Sequence, residues 1–192
     1  DKTSGKSLWD TELEFPLSGG VGLYGDALFL GSSDGFVLKV DANSGELLWS
    51  TRLNGEVMSV PQSNGAVVVV HSLDGKLQGL DFATGAVVWT YDSTVPALTP
   101  RGSCSPLVNG DSVYVGFASG RVLGFDIATG GIAWEARIAI PQGRSEIERV
   151  VDIDGTMTLV GNELFVASYQ GRIAAIDVTD GRKLWQNDVS SF

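Results

Sequence analysis

An all-β fold of repeated four-stranded antiparallel units is predicted by three features of this sequence. All five tryptophans, Trp9, Trp49, Trp89, Trp134 and Trp185, close copies of one nine-residue phrase that opens on Asp, turns around Gly and places two mostly apolar residues before Trp. The Trp-to-Trp spacings of 40, 40, 45 and 51 residues fall around the period of a propeller blade. Twenty-five glycines punctuate short runs of Val, Ile, Leu and Phe, a pattern of strands and tight turns rather than long helices. The predicted architecture is a β-propeller of four-stranded antiparallel blades.

Each blade can be read in order, with its strands labelled A to D. Strand A precedes the first turn glycine and is expected at Gly20 to Tyr24 in one repeat and Val57 to Val60 in the next. Strands B and C are the two apolar runs on either side of a second turn glycine, as in the segment from Tyr24 to Asp41 around Gly35, with glycine supplying the positive φ that hairpin turns need. The Asp that ends strand C precedes Asn43-Ser44-Gly45, Ala83-Thr84-Gly85 or Ala128-Thr129-Gly130, where its carboxylate can accept from turn amides. Strand D then carries the Trp, expected to pack into the seam with the neighbouring blade rather than to stack on a ligand.

The chain opens inside the phrase, so residues 1–9 are expected as an orphan outer strand. Four complete blades follow at about 10–53, 54–93, 94–138 and 139–190, in a single partial propeller domain over 1–192. About half of a ring of about eight blades is the expected content.

Composition excludes several classes of partner. A formal charge of −10 and a pI near 4.4 oppose nucleic acid and anionic lipid, whose binding draws on clustered Lys and Arg. Cys104 is the only cysteine, which rules out an intrachain disulfide and a Cys-rich metal site. The only histidine, His71, ends an apolar run and lacks a Ser or Cys nucleophile arrangement near it in sequence, so a structural or rim role is expected. Asp152-Ile-Asp154-Gly155 has the start of a calcium loop but lacks its third carboxylate and closing Glu. No catalytic, cofactor or metal residue is assigned.

The repeat also serves as a ruler. From Trp to the first turn glycine the distance is 16 residues in two repeats, then 21 from Trp89 to Gly110 and 27 from Trp134 to Gly161, while the two turn glycines always stand 10 apart. The extra residues therefore lie between strand D of one blade and strand A of the next. In a meander the D-to-A and B-to-C connections emerge on one face, and insertions confined to one face commonly mark binding. Both long segments mix proline, apolar residues and charges of both signs, the composition of a protein interface; neutral lengthening of solvated loops is the alternative.

The phrase Asp-x-x-(Thr/Ser)-Gly-x-x-x-Trp behind a hairpin resembles the repeat of pyrroloquinoline-quinone-type propellers, whose enzymatic members are dehydrogenases. The segments Leu98-Thr-Pro-Arg101-Gly-Ser and Pro141-Gln-Gly-Arg144-Ser-Glu-Ile-Glu148-Arg149-Val-Val-Asp152-Ile-Asp154-Gly look more specifically like the BamB family of outer-membrane assembly lipoproteins, in register over all 192 residues. That resemblance implies a non-enzymatic eight-bladed scaffold without a cofactor, lipid-anchored on the periplasmic side of the outer membrane of Gram-negative bacteria. It implies binding to the periplasmic POTRA domains of BamA, with unfolded outer-membrane proteins as a further class of ligand. Family binding residues lie in a Leu-x-Leu-Arg-Gly and an Asp-x-Asp segment, which carry over to Leu98, Arg101, Asp152 and Asp154. Pro100 stands where the family pattern has its second Leu, which changes the apolar contact there. Arg144, Glu148 and Arg149 are secondary candidates. A fragment of a quinone-dependent dehydrogenase and a periplasmic ligand-binding propeller are the alternatives; the first is opposed by the single cysteine, since many quinone dehydrogenases carry an adjacent pair.

Overall fold

The computed structural model describes residues 3–93, 104–140, 151–153, 155–169 and 171–188. These form sixteen strands and no helix among the described residues. The first blade comprises β1 (Leu17–Tyr24), β2 (Ala27–Ser32), β3 (Phe36–Asp41) and β4 (Leu47–Arg52). The second has β5 (Gln62–Ser63), β6 (Val67–His71), β7 (Lys76–Asp81) and β8 (Val87–Asp92). In the third stand β9 (Leu107–Asn109), β10 (Ser112–Phe117), β11 (Arg121–Asp126) and β12 (Ile132–Arg137), and in the fourth β13 (Thr158–Val160), β14 (Glu163–Ala167), β15 (Arg172–Asp177) and β16 (Lys183–Asp188). Every sheet is an antiparallel meander in chain order.

In the second and third blades the middle strands are buried on both faces, which explains their nearly continuous apolar runs. Alternation along β6 sends Val68 and Val70 into the seam with the first blade, beside Phe29, Val37 and Leu80. It sends Val67 and Val69 into the next seam, beside Val113, Val115, Phe117 and Phe125. Likewise β10 turns Tyr114 toward the fourth blade, against Trp134, Leu164 and Val166. The inner strands of the second and third blades thus contribute to two cores each, and those of the first and fourth to one.

The seams are closed by the tryptophans. The indole N–H of Trp49 donates to the carbonyl of Phe82 at 3.1 Å, that of Trp89 to Ile127 at 2.9 Å and that of Trp134 to Val178 at 2.7 Å. Each acceptor directly follows the Asp that ends strand C of the next blade. The ring lies over the glycine of the same C-to-D turn: a Cβ on Gly130 would stand 2.6 Å from the Trp89 ring and one on Gly181 2.8 Å from that of Trp134. Their φ angles of +69° and +74° are themselves closed to most side chains. The turn is rigid because the Asp carboxylate holds it: Asp81 accepts from the Thr84 amide at 2.8 Å and its hydroxyl at 2.7 Å.

A β-bulge aims each tryptophan. In all four blades the C-to-D ladder slips by one residue just before the Trp, leaving Leu48, Val88, Ala133 and Leu184 without a partner. The kink turns the Trp toward the neighbouring blade and also breaks the regularity of the outer edge strand, which discourages pairing with another chain.

Two expectations are corrected. Strand A of the second blade is Gln62–Ser63, not Val57 to Val60. Val57 is fully buried against the first blade, its amide bonds Ser32, and the Val60 amide bonds the Ser105 hydroxyl, so these groups are committed outside a ladder; Pro61 has no amide to offer. The outer strand expected over residues 1–9 is not formed over its described part, residues 3–9, which pairs with no strand among the described residues. Trp9 nevertheless reproduces the seam contact, donating to Ala42 at 2.9 Å with its ring over Gly45.

Replacing Trp89 by Phe should cost about 1–3 kcal/mol, through the lost hydrogen bond and the smaller ring, whereas Trp89→Ala should cost about 3–5 kcal/mol through the emptied seam. Gly130→Ala, on the receiving side, should be destabilising through both its φ and the ring above it, and in the background of Trp89→Ala should add only the φ part of its cost. Urea denaturation of the four proteins checks this; additive losses would show that ring and turn do not act as one unit.

Candidate partner-binding face

The D-to-A connectors are fastened to the B-to-C turns by backbone hydrogen bonds, which puts both on one face. Leu53 bonds Gly35, Leu73 bonds Glu56, Ile138 and Ala139 bond Gly120, and Tyr169 bonds Asp152. The described ends of the long connectors, Ser93 bonded to Gly75 and Ile138 and Ala139 bonded to Gly120, therefore lie on the face of the B-to-C turns. Leu98, Pro100, Arg101, Arg144, Glu148, Arg149 and Asp154 lie outside the described residues. Asp152 is described: it is 4% exposed, and its carbonyl accepts from the Tyr169 amide at 2.8 Å.

The ends of the two connectors meet. Cys104, the first described residue after one of them, is 2% exposed and directs its Sγ to the carbonyl of Gly155 at 3.5 Å, close to the end of the other. Cys104 stands at the repeat position of Gly19, Ser59 and Gly155, all small residues; at Gly19 a Cβ would come within 2.8 Å of the Ser59 carbonyl. On its other side the carbonyl of Cys104 is bonded by Nδ1 of His71 at 3.0 Å. A carbonyl only accepts, so Nδ1 carries the proton.

His71 takes part in a steric exchange visible once the repeats are aligned. Blades one and three have Gly31 and Gly116 at the end of strand B, and the next connector fills the space with Val57 or Ile153, both fully buried. Blade two has His71 at that position, and the corresponding connector residue is Gly102, outside the described residues. The imidazole packs edge-on against Phe117, with ring centroids 5.1 Å apart. Burial pushes the His71 pKa down, against the opposing influence of the Cys104 carbonyl and the Asp74 charge.

Around this buried node the rim is charged and partly apolar. Lys76 pairs with Asp74 at 3.4 Å and Asp92 at 3.9 Å, Arg121 with Glu135 at 3.4 Å, and Arg172 with Asp188 at 3.0 Å. Ile140, at the start of the second long connector, and Tyr169, on the last B-to-C turn, are 50% and 64% exposed. Tyrosine and arginine are the side chains that most often carry interface energy. Neither Ile140 nor Tyr169 is conspicuous in the sequence; the signal was alignment on the turn glycines, which sets Tyr169 beside Ser33, Leu73 and Ala118. Among the described residues no group of three or more His, Cys, Asp or Glu is placed to hold a metal ion.

The family model described as outer membrane protein assembly factor BamB matches residues 1–192. A curated relative from Kangiella koreensis with that same name is 42% identical over 190 residues, 99% of this chain and 49% of its own. The crystal structure of BamB from Moraxella catarrhalis superposes with a TM-score of 0.89 at 34% identity, covering 95% of this chain and 56% of that one. A quinohemoprotein alcohol dehydrogenase from Pseudomonas putida HK5 matches with a TM-score of 0.74 at 16% identity over 94% of this chain and 35% of its own, a likeness of fold alone. The chain spans about half the length of the full-span curated relatives it matches.

The titrating groups give two separate pH windows. His71 is kept neutral by the fold, so below its unfolded value near 6.5 the unfolded chain takes up a proton that the folded chain does not, and stability falls with pH. Asp41, Asp81, Asp126 and Asp177 are held below 3.8 chiefly by their turn hydrogen bonds, so their contribution is present above 3.8 and is lost as pH falls through the folded values. The thermal midpoint should therefore decline between pH 7 and 5, and His71→Asn should flatten that slope while keeping the steeper loss below pH 4. An unchanged slope in His71→Asn would show that the buried imidazole is not its source.

Proposed function

Because this chain belongs to the family of outer membrane protein assembly factor BamB, we propose that it forms part of a non-enzymatic propeller scaffold that assists folding and insertion of outer-membrane proteins. It works on the periplasmic side of the outer membrane, held there by a lipid anchor on a part of the protein that these residues do not include. Its face of long connectors binds the POTRA domains of BamA, and unfolded outer-membrane proteins are a further ligand.

The observation that carries this reading is the hydrogen bond from Cys104 to Gly155, which ties together the ends of the two long connectors on the face of the B-to-C turns. Two segments of unlike sequence, fastened to one another across a blade seam, offer a single composite surface. Leu98 supplies the apolar anchor, with Pro100 giving it a stiffer and differently shaped flank than a leucine would. Arg101 presents a planar fork to a partner carboxylate, and Asp152 with Asp154 accept from a partner Arg or Lys. Arg144, Glu148 and Arg149 form the charged rim.

The test is titration of the full-length protein and its variants against purified BamA periplasmic domains. Arg101→Ala and Asp154→Ala should each raise Kd by at least about tenfold with the thermal midpoint little changed, the behaviour of central interface residues. Unchanged binding by folded variants would remove these residues from the interface, and absence of binding by the wild type would remove the partner.

A further inference from the structure

The rim of the candidate face follows a rule that one blade breaks. The first residue of strand C and the last of strand D stand directly opposite in the ladder, so their side chains leave the sheet on the same side. In the second blade the pair is Lys76 and Asp92, and in the fourth Arg172 and Asp188, each joined as an ion pair. In the first it is Phe36 and Arg52, with the guanidinium 5.6 Å from the ring centre. The third blade sets Arg121 opposite Arg137. Like charges directly opposite destabilise a sheet.

Arg121 is accommodated: its Nε donates to the Ser119 hydroxyl at 3.0 Å, and its Nη1 reaches the diagonal Glu135 at 3.4 Å. Arg137 is not. It is exposed, and among the described residues it meets no carboxylate, acceptor or aromatic ring. Its place is the last position of β12, three residues before the exposed Ile140 and the second long connector.

We propose that Arg137 is a docking residue for a carboxylate on the protein partner of this face, kept without a partner by its own blade. The proposal rests on the reading of that face as a protein-binding surface. Charge selects the occupant: on a chain of net charge −10, an exposed guanidinium facing a second one makes a local positive site that an acidic side chain relieves and a basic one aggravates. The pair Arg121 and Arg137 trades blade stability for that site, and Ile140 provides an apolar neighbour along the chain.

Replacing Arg137 by Asp restores the sign pattern of the second and fourth blades. In the full-length protein, Arg137→Asp should therefore raise the thermal midpoint while weakening binding to BamA periplasmic domains by about tenfold at low salt, with the difference shrinking at high salt. Arg137→Gln should show a smaller effect of the same sign in both measurements. A rim residue without a binding role would move stability alone. Unchanged affinity and salt dependence in Arg137→Asp would overturn the proposal. Shortening the second connector to the length found in the first two repeats tells the two readings apart: if it abolishes binding while Arg137→Asp does not, the face stands and Arg137 is no part of it. If neither variant alters binding, the reading of the face fails as well.

Discussion

The fit of a tryptophan into the C-to-D turn of the next blade is the interaction on which the rest of this structure depends. It joins a hydrogen bond and a ring contact in one place: the indole nitrogen reaches the carbonyl after the strand-ending Asp, while the ring covers a glycine that could not carry a side chain. The turn is fixed locally by its Asp carboxylate before any neighbour arrives, so the acceptor is already in place when the blades meet. A seam built this way links each blade mainly to its neighbours, and blade order in space follows blade order in sequence. The last tryptophan shows the consequence by contrast. Trp185 has Phe165 beside it within its own blade and is 41% exposed, with no following turn among these residues.

The same regularity gives the candidate face its precision. Because the described parts of the connectors are pinned to B-to-C turns, as at Leu53, Ser93, Ile138 and Asp152, a segment inserted there is anchored at fixed points whatever its length. Cys104 and Gly155 bring the ends of two such segments into contact, and His71 buttresses the first of them from the neighbouring blade. A rigid scaffold carrying variable connections on one face is a general solution for recognition, because the loops can change without disturbing the cores.

Much of this was legible in the sequence because repeats make local signals comparable. The glycine and tryptophan positions set the blades, the strand order and the face of the insertions, each by counting. What escaped were features that depend on which groups are satisfied elsewhere. Val57 to Val60 has the composition of a strand, yet its amides bond Ser32 and a serine side chain of the next connector. The exchange of bulk between Gly31 with Val57 and His71 with Gly102 is written in the alignment, but only the buried imidazole against Phe117 gives it meaning. The bulge before each tryptophan leaves no mark in composition, since Leu48, Val88, Ala133 and Leu184 share only an apolar character with ordinary strand residues.

By itself the sequence determined the period, the turns and the location of the departures, because turn chemistry and alternation act over a few residues. Tertiary structure decided what each tryptophan is for and which ends of the long connectors touch. It also decided which charges on the rim are paired, since residues brought opposite one another by a ladder stand 16 positions apart in the chain, as Arg121 and Arg137 do. The five tryptophans are a ruler in sequence and a set of fastenings in space; the second role exists only where a neighbouring blade presents its turn.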